Sequence, residues 1–132
     1  MTVHTRGRKP QLVQDAEALI KAPTAPAWLS AHGKAEWKRI MPQLITRRII
    51  TRADLTGVEN YCAAVGVCRQ IEEQRAAAGG VIDVKLFGVW DRAAKTARQL
   101  AAEFGLSPTS RARIGATVPV AEEADDDDPL AV

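Results

Sequence analysis

The sequence predicts an all-α protein: a helical hairpin core with one long central helix, a further long helix, a short C-terminal helical turn, and flexible N- and C-terminal tails. Three observations lead there. Apolar residues recur at three- and four-residue steps through the middle of the chain, which is helical spacing. Capping residues stand where those patterns begin, and glycines where they end. Prolines and the acidic run mark off the two ends. The expected organisation is a basic, proline-containing arm over residues 1–26, an all-α domain over 27–114 and an acidic, disordered tail over 115–132.

Residues 5–9, Thr-Arg-Gly-Arg-Lys, form an arm suited to a phosphate backbone or a minor groove, where glycine permits close approach. Ala22 to Leu29 is a proline-stiffened lead-in, and Ser30 is a candidate N-cap with Trp28 and Leu29 placed to pack on the helix that follows. That first helix is expected over 31–45, with Trp37, Ile40, Met41 and Leu44 on its apolar stripe and a kink or restart at Pro42. Thr51 and Asp54 resemble a capping box opening the longest helix, over 52–78, which at about 1.5 Å per residue spans roughly 40 Å. Leu55, Val58, Tyr61, Cys62, Val65, Cys68 and Ile71 give it a wide apolar stripe. Gly57 and Gly66 face opposite ways on it, which means either close neighbours on both sides or a loosely specified helix. Gly79-Gly80 ends the helix, and Val81 to Phe87 reads as a connector with room for an extended stretch. The last long helix is expected over 89–104, with Trp90, Ala97, Leu100 and Phe104 on one side and Arg92, Lys95 and Arg98 on the other. Gly105 and Leu106 suit its C-terminal cap, and Ser107-Pro108 opens a final short turn carrying Arg111 and Arg113.

Charge is divided unevenly. All 18 Lys and Arg lie in residues 1–114 with 10 acidic residues, a net +8, while residues 115–132 hold six acidic and no basic residues, a net −6. A basic body is what a sequence-independent grip on nucleic-acid phosphates requires.

Catalytic patterns do not emerge. There is no glycine-rich phosphate cradle, two histidines cannot supply a triad for Thr109 or Ser110, and an aspartate run in a tail cannot fix a metal geometry. Cys62 and Cys68, six residues apart, fall on nearly opposite helix faces, poorly placed for a disulfide. No apolar run approaches the ~20 residues of a membrane span, and no apolar segment follows the basic start as it would in a secretory signal. The chain reads as a cytosolic, metal-free protein without a cofactor, and not as an enzyme.

Four segments, in order and spacing, carry a resemblance: Gly7-Arg8-Lys9-Pro10; Ala25 to Ser30; Ala35-Glu36-Trp37-Lys38-Arg39-Ile40-Met41-Pro42-Gln43-Leu44 with Ile49 to Asp54 and Tyr61-Cys62; and Phe104-Gly105-Leu106-Ser107-Pro108-Thr109-Ser110-Arg111-Ala112-Arg113-Ile114. Together they resemble the P27 family of small terminase subunits from tailed double-stranded DNA phages and prophages. One departure stands out, since Phe87-Gly88-Val89-Trp90 replaces the His-Pro or Asn-Pro step usual before the last long helix.

The resemblance implies a non-catalytic subunit in the host bacterial cytoplasm. It would assemble as a homo-oligomeric ring, with a nonamer as the working expectation, bind viral double-stranded DNA and deliver it to the large terminase subunit, an ATPase and nuclease that it stimulates. The candidate DNA contacts are Arg6, Arg8 and Lys9 in the arm, then Lys34, Lys38, Arg47, Arg48 and Arg52, with Arg92, Lys95, Arg98, Arg111 and Arg113 as second choices. Trp37, Leu44, Leu55, Val58, Tyr61, Val65, Trp90 and Phe104 are expected in the core or in an interface between copies. Pro129, Leu130, Ala131 and Val132 are candidates for docking on the large subunit, and the acidic tail could instead compete with DNA for the basic body. Two rival readings are a dimeric DNA-binding regulator or nucleoid-type protein, and a virion or adaptor protein that binds no DNA.

Overall fold

Ser30 starts the described helices as its sequence position suggests. Its backbone is extended and its hydroxyl accepts a hydrogen bond from the Gly33 N–H at 3.1 Å, opening α1, Ala31–Thr46. The computed structural model describes residues 16–115. Helix α1 continues unbroken through Pro42, contrary to the expected kink or restart. Pro42 lies on the exposed face, so only one backbone bond is forgone there.

The Thr51–Asp54 pair acts as read. The Asp54 carboxylate accepts from the Thr51 N–H at 2.8 Å and from its hydroxyl at 3.2 Å. The first turn it opens is a 3-10 turn, Arg52–Asp54, and the α-helix proper is α2, Leu55–Ala77. At about 1.5 Å per residue α2 is roughly 35 Å long. Gly79 and Gly80 end it in left-handed backbone, φ 74° and 82°, and the Gly80 N–H reaches back to the Arg75 carbonyl at 2.8 Å.

The connector is shorter than expected and not extended. Asp83 caps a helix at once, its carboxylate accepting from the Lys85 and Leu86 N–H groups at 2.9 and 3.2 Å, so α3 runs Val84–Glu103 and absorbs Phe87-Gly88-Val89-Trp90. Capping outweighs the roughly 1 kcal/mol penalty of Gly88 in its first turns. Gly105, φ 67°, and Leu106 close α3 with the Leu106 N–H on the Ala101 carbonyl at 2.8 Å. Ser107 and Ser110 then cap each other's N–H groups at 3.2 and 3.1 Å, and α4, Pro108–Gly115, is two turns where one was expected.

Helix α2 lies between α1 and α3, whose backbones do not approach each other closely. Both glycines inside α2 mark these contacts. A Cβ on Gly66 would fall 2.7 Å from the Ser30 hydroxyl and 3.1 Å from the Gly33 backbone nitrogen, and one on Gly57 would fall 2.8 Å from the Phe104 ring. The close-neighbour reading of these glycines is therefore correct. The core collects where α1, α2 and residue 50 meet: Ile40, Leu44, Ile50, Val58 and Cys62 are fully buried, with Trp37, Met41, Tyr61 and Phe104 around them. Each large apolar side chain so buried stabilises the fold by about 1.5–3 kcal/mol relative to exposure. Leu29 joins this core, but Trp28 does not; it is 62% exposed, against the expectation that both would pack.

Leu19 and Pro23 are hydrogen-bonded to the helical domain. The Leu19 N–H donates to the Ile50 carbonyl at 2.9 Å, and the Trp37 indole N–H to the Pro23 carbonyl at 3.0 Å. Both cysteines are free thiols; the Cys68 thiol donates to the Trp90 carbonyl at 3.6 Å, and burial pushes the Cys62 thiol up to about 12.

One buried carboxylate joins α1 to α2. Glu36, 7% exposed, accepts from the Tyr61 hydroxyl at 2.7 Å and from the Arg39 guanidinium, whose Nε lies at 2.9 Å. Burial raises the carboxyl, but the Arg39 and Tyr61 bonds outweigh it and hold Glu36 below its ordinary value of 4.5. Burial and the neighbouring Glu36 carboxylate push the Tyr61 phenol up to about 12.

Gly66→Ala is expected to destabilise the protein in urea by about 1–3 kcal/mol, because overpacking against the α1 backbone exceeds the roughly 1 kcal/mol gained in helix propensity. For Glu36 the folded value is depressed, so the unfolded chain takes up its proton first as pH falls; this contribution is present above 4.5 and lost below it. Denaturation curves of the wild type and of Glu36→Gln, compared on both sides of that pH, are expected to differ most at the higher pH.

Candidate nucleic-acid interface

Cations gather at one end of the molecule because two arginines cap the same turn. The Arg47 guanidinium, from the end of α1, donates to the Gly105 carbonyl at 3.0 Å, and Arg111, from α4, donates to the Leu106 carbonyl at 3.2 Å. These carbonyls sit at the C-terminal, partly negative end of α3, where a cation is favoured by about 0.3–1 kcal/mol. The result brings the loop after α1 against the start of α4. Arg47, Arg48, Arg52, Arg111 and Arg113, from segments some 60 residues apart, thereby share one end of the fold. Arg52 borders a shallow depression with Glu17, Leu19, Thr51 and Ala53, so the chain arriving from the N-terminus enters at this same end.

Arg48 differs from its neighbours. It is an exposed non-glycine residue at φ 56°, the left-handed region that costs an L-residue about 1–2 kcal/mol, at the position after α1 where glycine is usual. Its guanidinium has no hydrogen bond or ion pair to another described residue. Backbone strain at an exposed charged residue is a feature that function more readily accounts for than packing.

The other expected contacts are dispersed. Lys34 and Lys38 lie along α1, and Arg92, Lys95 and Arg98 lie along α3 on the other side of α2. Lys95 is paired with Asp91 at 2.8 Å within its own helix. Arg6, Arg8 and Lys9, like Pro129, Leu130, Ala131 and Val132, fall outside the described residues.

Among the residues expected in the core or an interface, Trp37, Leu44, Val58, Tyr61 and Phe104 are buried within the chain, and Leu55 and Val65 pack partly on that core. Trp90 is only half-buried; its ring stacks on Phe87 with centroids 5.9 Å apart. Sequence reasoning missed the exposed apolar residues around it. Val81, Ile82, Val84 and Phe87 were assigned to a connector, although five apolar residues in seven was a signal that this stretch does more than join two helices.

No helix among the described residues is long and apolar enough to cross a membrane. No group of three or more His, Cys, Asp or Glu among them is placed to hold a metal ion.

Comparison with known proteins adds one finding. Neither the curated proteins nor the solved structures include a match. A family model described as phage terminase, small subunit, matches residues 33–119. That interval holds α1 from Gly33, both helices of the hairpin, the arginine-capped turn and α4, so the geometry above is the geometry of the matched region. The chain belongs to the phage terminase small subunit family.

Proposed function

We propose that this chain is a P27-type small terminase subunit: a non-catalytic protein that assembles as a ring in the host bacterial cytoplasm, binds viral double-stranded DNA, and delivers it to the large terminase subunit, which it stimulates. Two of the four segments that carry the P27 resemblance lie in the matched interval, while Gly7 to Pro10 and Ala25 to Ser30 precede it.

The observation that carries DNA binding is the arginine-rich end with strained Arg48 at its edge. Phosphate contacts need exposed cations on a rigid support, and Arg47 and Arg111 hold that support together while keeping their own charge there. The basic arm with Arg6, Arg8 and Lys9 leads into residues 17–19, which lie beside Thr51 and Arg52, so it can extend the same surface. Lys34, Lys38, Arg92 and Arg98 are more distant and act as auxiliary contacts; they engage DNA only if it wraps or passes between several copies. Ring assembly multiplies weak contacts of this kind.

The acidic tail follows α4 in the sequence, and α4 carries Arg111 and Arg113. It acts either by docking Pro129, Leu130, Ala131 and Val132 on the large subunit or by competing with DNA for the arginines. Removing residues 115–132 distinguishes these roles: tighter DNA binding follows from competition, and loss of large-subunit stimulation at unchanged DNA affinity follows from docking.

Titration against duplex DNA at several salt concentrations tests the binding site. The wild-type affinity is expected to fall steeply with salt, and each lost phosphate contact in Arg48→Ala and Arg52→Ala to reduce the log–log slope by about 0.9. Lys95→Ala should leave the slope unchanged. Arg48→Gly is expected to raise unfolding stability by about 1 kcal/mol while weakening DNA binding, because it relieves the left-handed strain and removes the charge. A salt-independent or absent interaction with DNA refutes this reading.

A further inference from the structure

Glu36 and Arg39 form an ion pair of unequal halves. The carboxylate side chain is 8% exposed, while the guanidinium side chain stands 62% exposed on α1. Nε and one terminal nitrogen of Arg39 donate to the two Glu36 oxygens, Nε at 2.9 Å, so one edge of the planar group is occupied. A guanidinium has five N–H donors. Glu36 takes two and the adjacent Tyr61 oxygen takes one at most, which leaves donors on the outer edges for a ligand.

From this geometry we infer that Arg39 contacts a backbone phosphate of DNA and that Glu36 is the positioning residue that aims it. The inference rests on the DNA binding proposed above and extends that surface along α1. Charge is the first argument. The other cations of α1 are Lys34 and Lys38, and its one acid, Glu36, is buried, so a polyanion meets a single sign on the outside of this helix. By contrast α2 exposes Glu72 and Glu73, and α3 exposes Glu103. In the groove beside Arg39, Glu72 and Glu73 are already paired with Arg75 and His32, at 2.7 Å each, and Arg69 adds a further cation.

Access and reach are the second argument. Among the described helices α1 packs on α2 alone, which leaves its outer side open. Arg39 precedes Arg47 by eight residues, roughly 12 Å along the helix. That is three to four phosphate steps at about 3.4 Å each along one strand, so a duplex on the arginine end reaches Arg39 as well. Order is the third argument. A free arginine gives up rotamer freedom when it binds, whereas Arg39 is already held by a carboxylate that Tyr61 fixes to α2 at 2.7 Å. Against this, the Glu36 charge weakens the attraction for phosphate. The two effects of Glu36 have opposite signs, and that makes its removal decisive.

The test titrates duplex DNA at several salt concentrations against the wild type, Arg39→Gln, Arg39→Lys, Glu36→Gln and a control, Lys85→Ala, which removes an equal charge from an exposed α3 position. Circular dichroism first checks that each variant keeps its helix content, and Arg39→Lys carries the test if Arg39→Gln does not fold. Arg39→Gln is expected to bind at least threefold more weakly, with a log–log salt slope reduced by about 0.9. Arg39→Lys is expected to keep the slope and still lose at least threefold, because an ammonium cannot hold both carboxylate oxygens edge-on. Glu36→Gln is expected to weaken binding although it makes the protein more positive. A purely structural ion pair would leave the slope where it is. Wild-type affinity in the Arg39 variants, a loss no larger than the control's, or tighter binding by Glu36→Gln overturns the inference and leaves DNA binding by the arginine end standing. A wild type without salt-sensitive DNA binding overturns both.

Discussion

The close approach of α2 to α1 is the constraint on which the rest depends. Gly66 sits against Ser30 and the Gly33 backbone, and that separation brings Tyr61 within 2.7 Å of the Glu36 carboxylate. Were the helices an ordinary side chain further apart, Glu36 would be a buried acid without its phenol partner, an arrangement that costs more than the hydrogen bond contributes. Gly57 performs the matching service on the opposite side by admitting the Phe104 ring. One helix therefore carries neighbours on two faces, and a small domain acquires a core without the backbones of α1 and α3 coming close.

That arrangement also separates the molecule's chemistry along its length. Helix α1 is shorter than α2, so its partner is covered at one end and bare at the other. At the covered end the chain termini of α1, α3 and α4 converge, and with them the carbonyls that hold Arg47 and Arg111. At the bare end apolar side chains remain in solvent. A cationic end suits a polyanion and an apolar end suits another protein surface.

Much of the fold was legible because it is written in local chemistry. Ser30, the Thr51–Asp54 pair, Gly79-Gly80, Gly105-Leu106 and Ser107-Pro108 all punctuate helices as their side chains and backbone freedom require, and the apolar stripe of α1 names most of the core. The misjudged boundaries came from local signals that were overridden. Val81 to Phe87 read as a connector, whereas Asp83 caps the helix a turn and more before the expected start at residue 89. Pro42 suggested an interruption, yet it falls on the solvent side of α1 where one lost bond is tolerated. Trp28 looked like a packing residue by its position before the cap, but the chain turns so that Leu29 alone enters the core.

The candidate site divides along the same line. The sequence by itself determined the helical class, the ends of most helices, the excess of positive charge and the family resemblance, because each depends on residues close together in the chain. Only the tertiary structure decided which arginines are neighbours, since Arg47 reaches the Gly105 carbonyl 58 residues away, beside the Leu106 carbonyl that Arg111 caps locally. It also decided that the tip of the hairpin is bare. Whether an apolar side chain is covered depends on how far a packed helix reaches, and α1 ends its cover at Glu73 for reasons of three-dimensional length that no spacing pattern records.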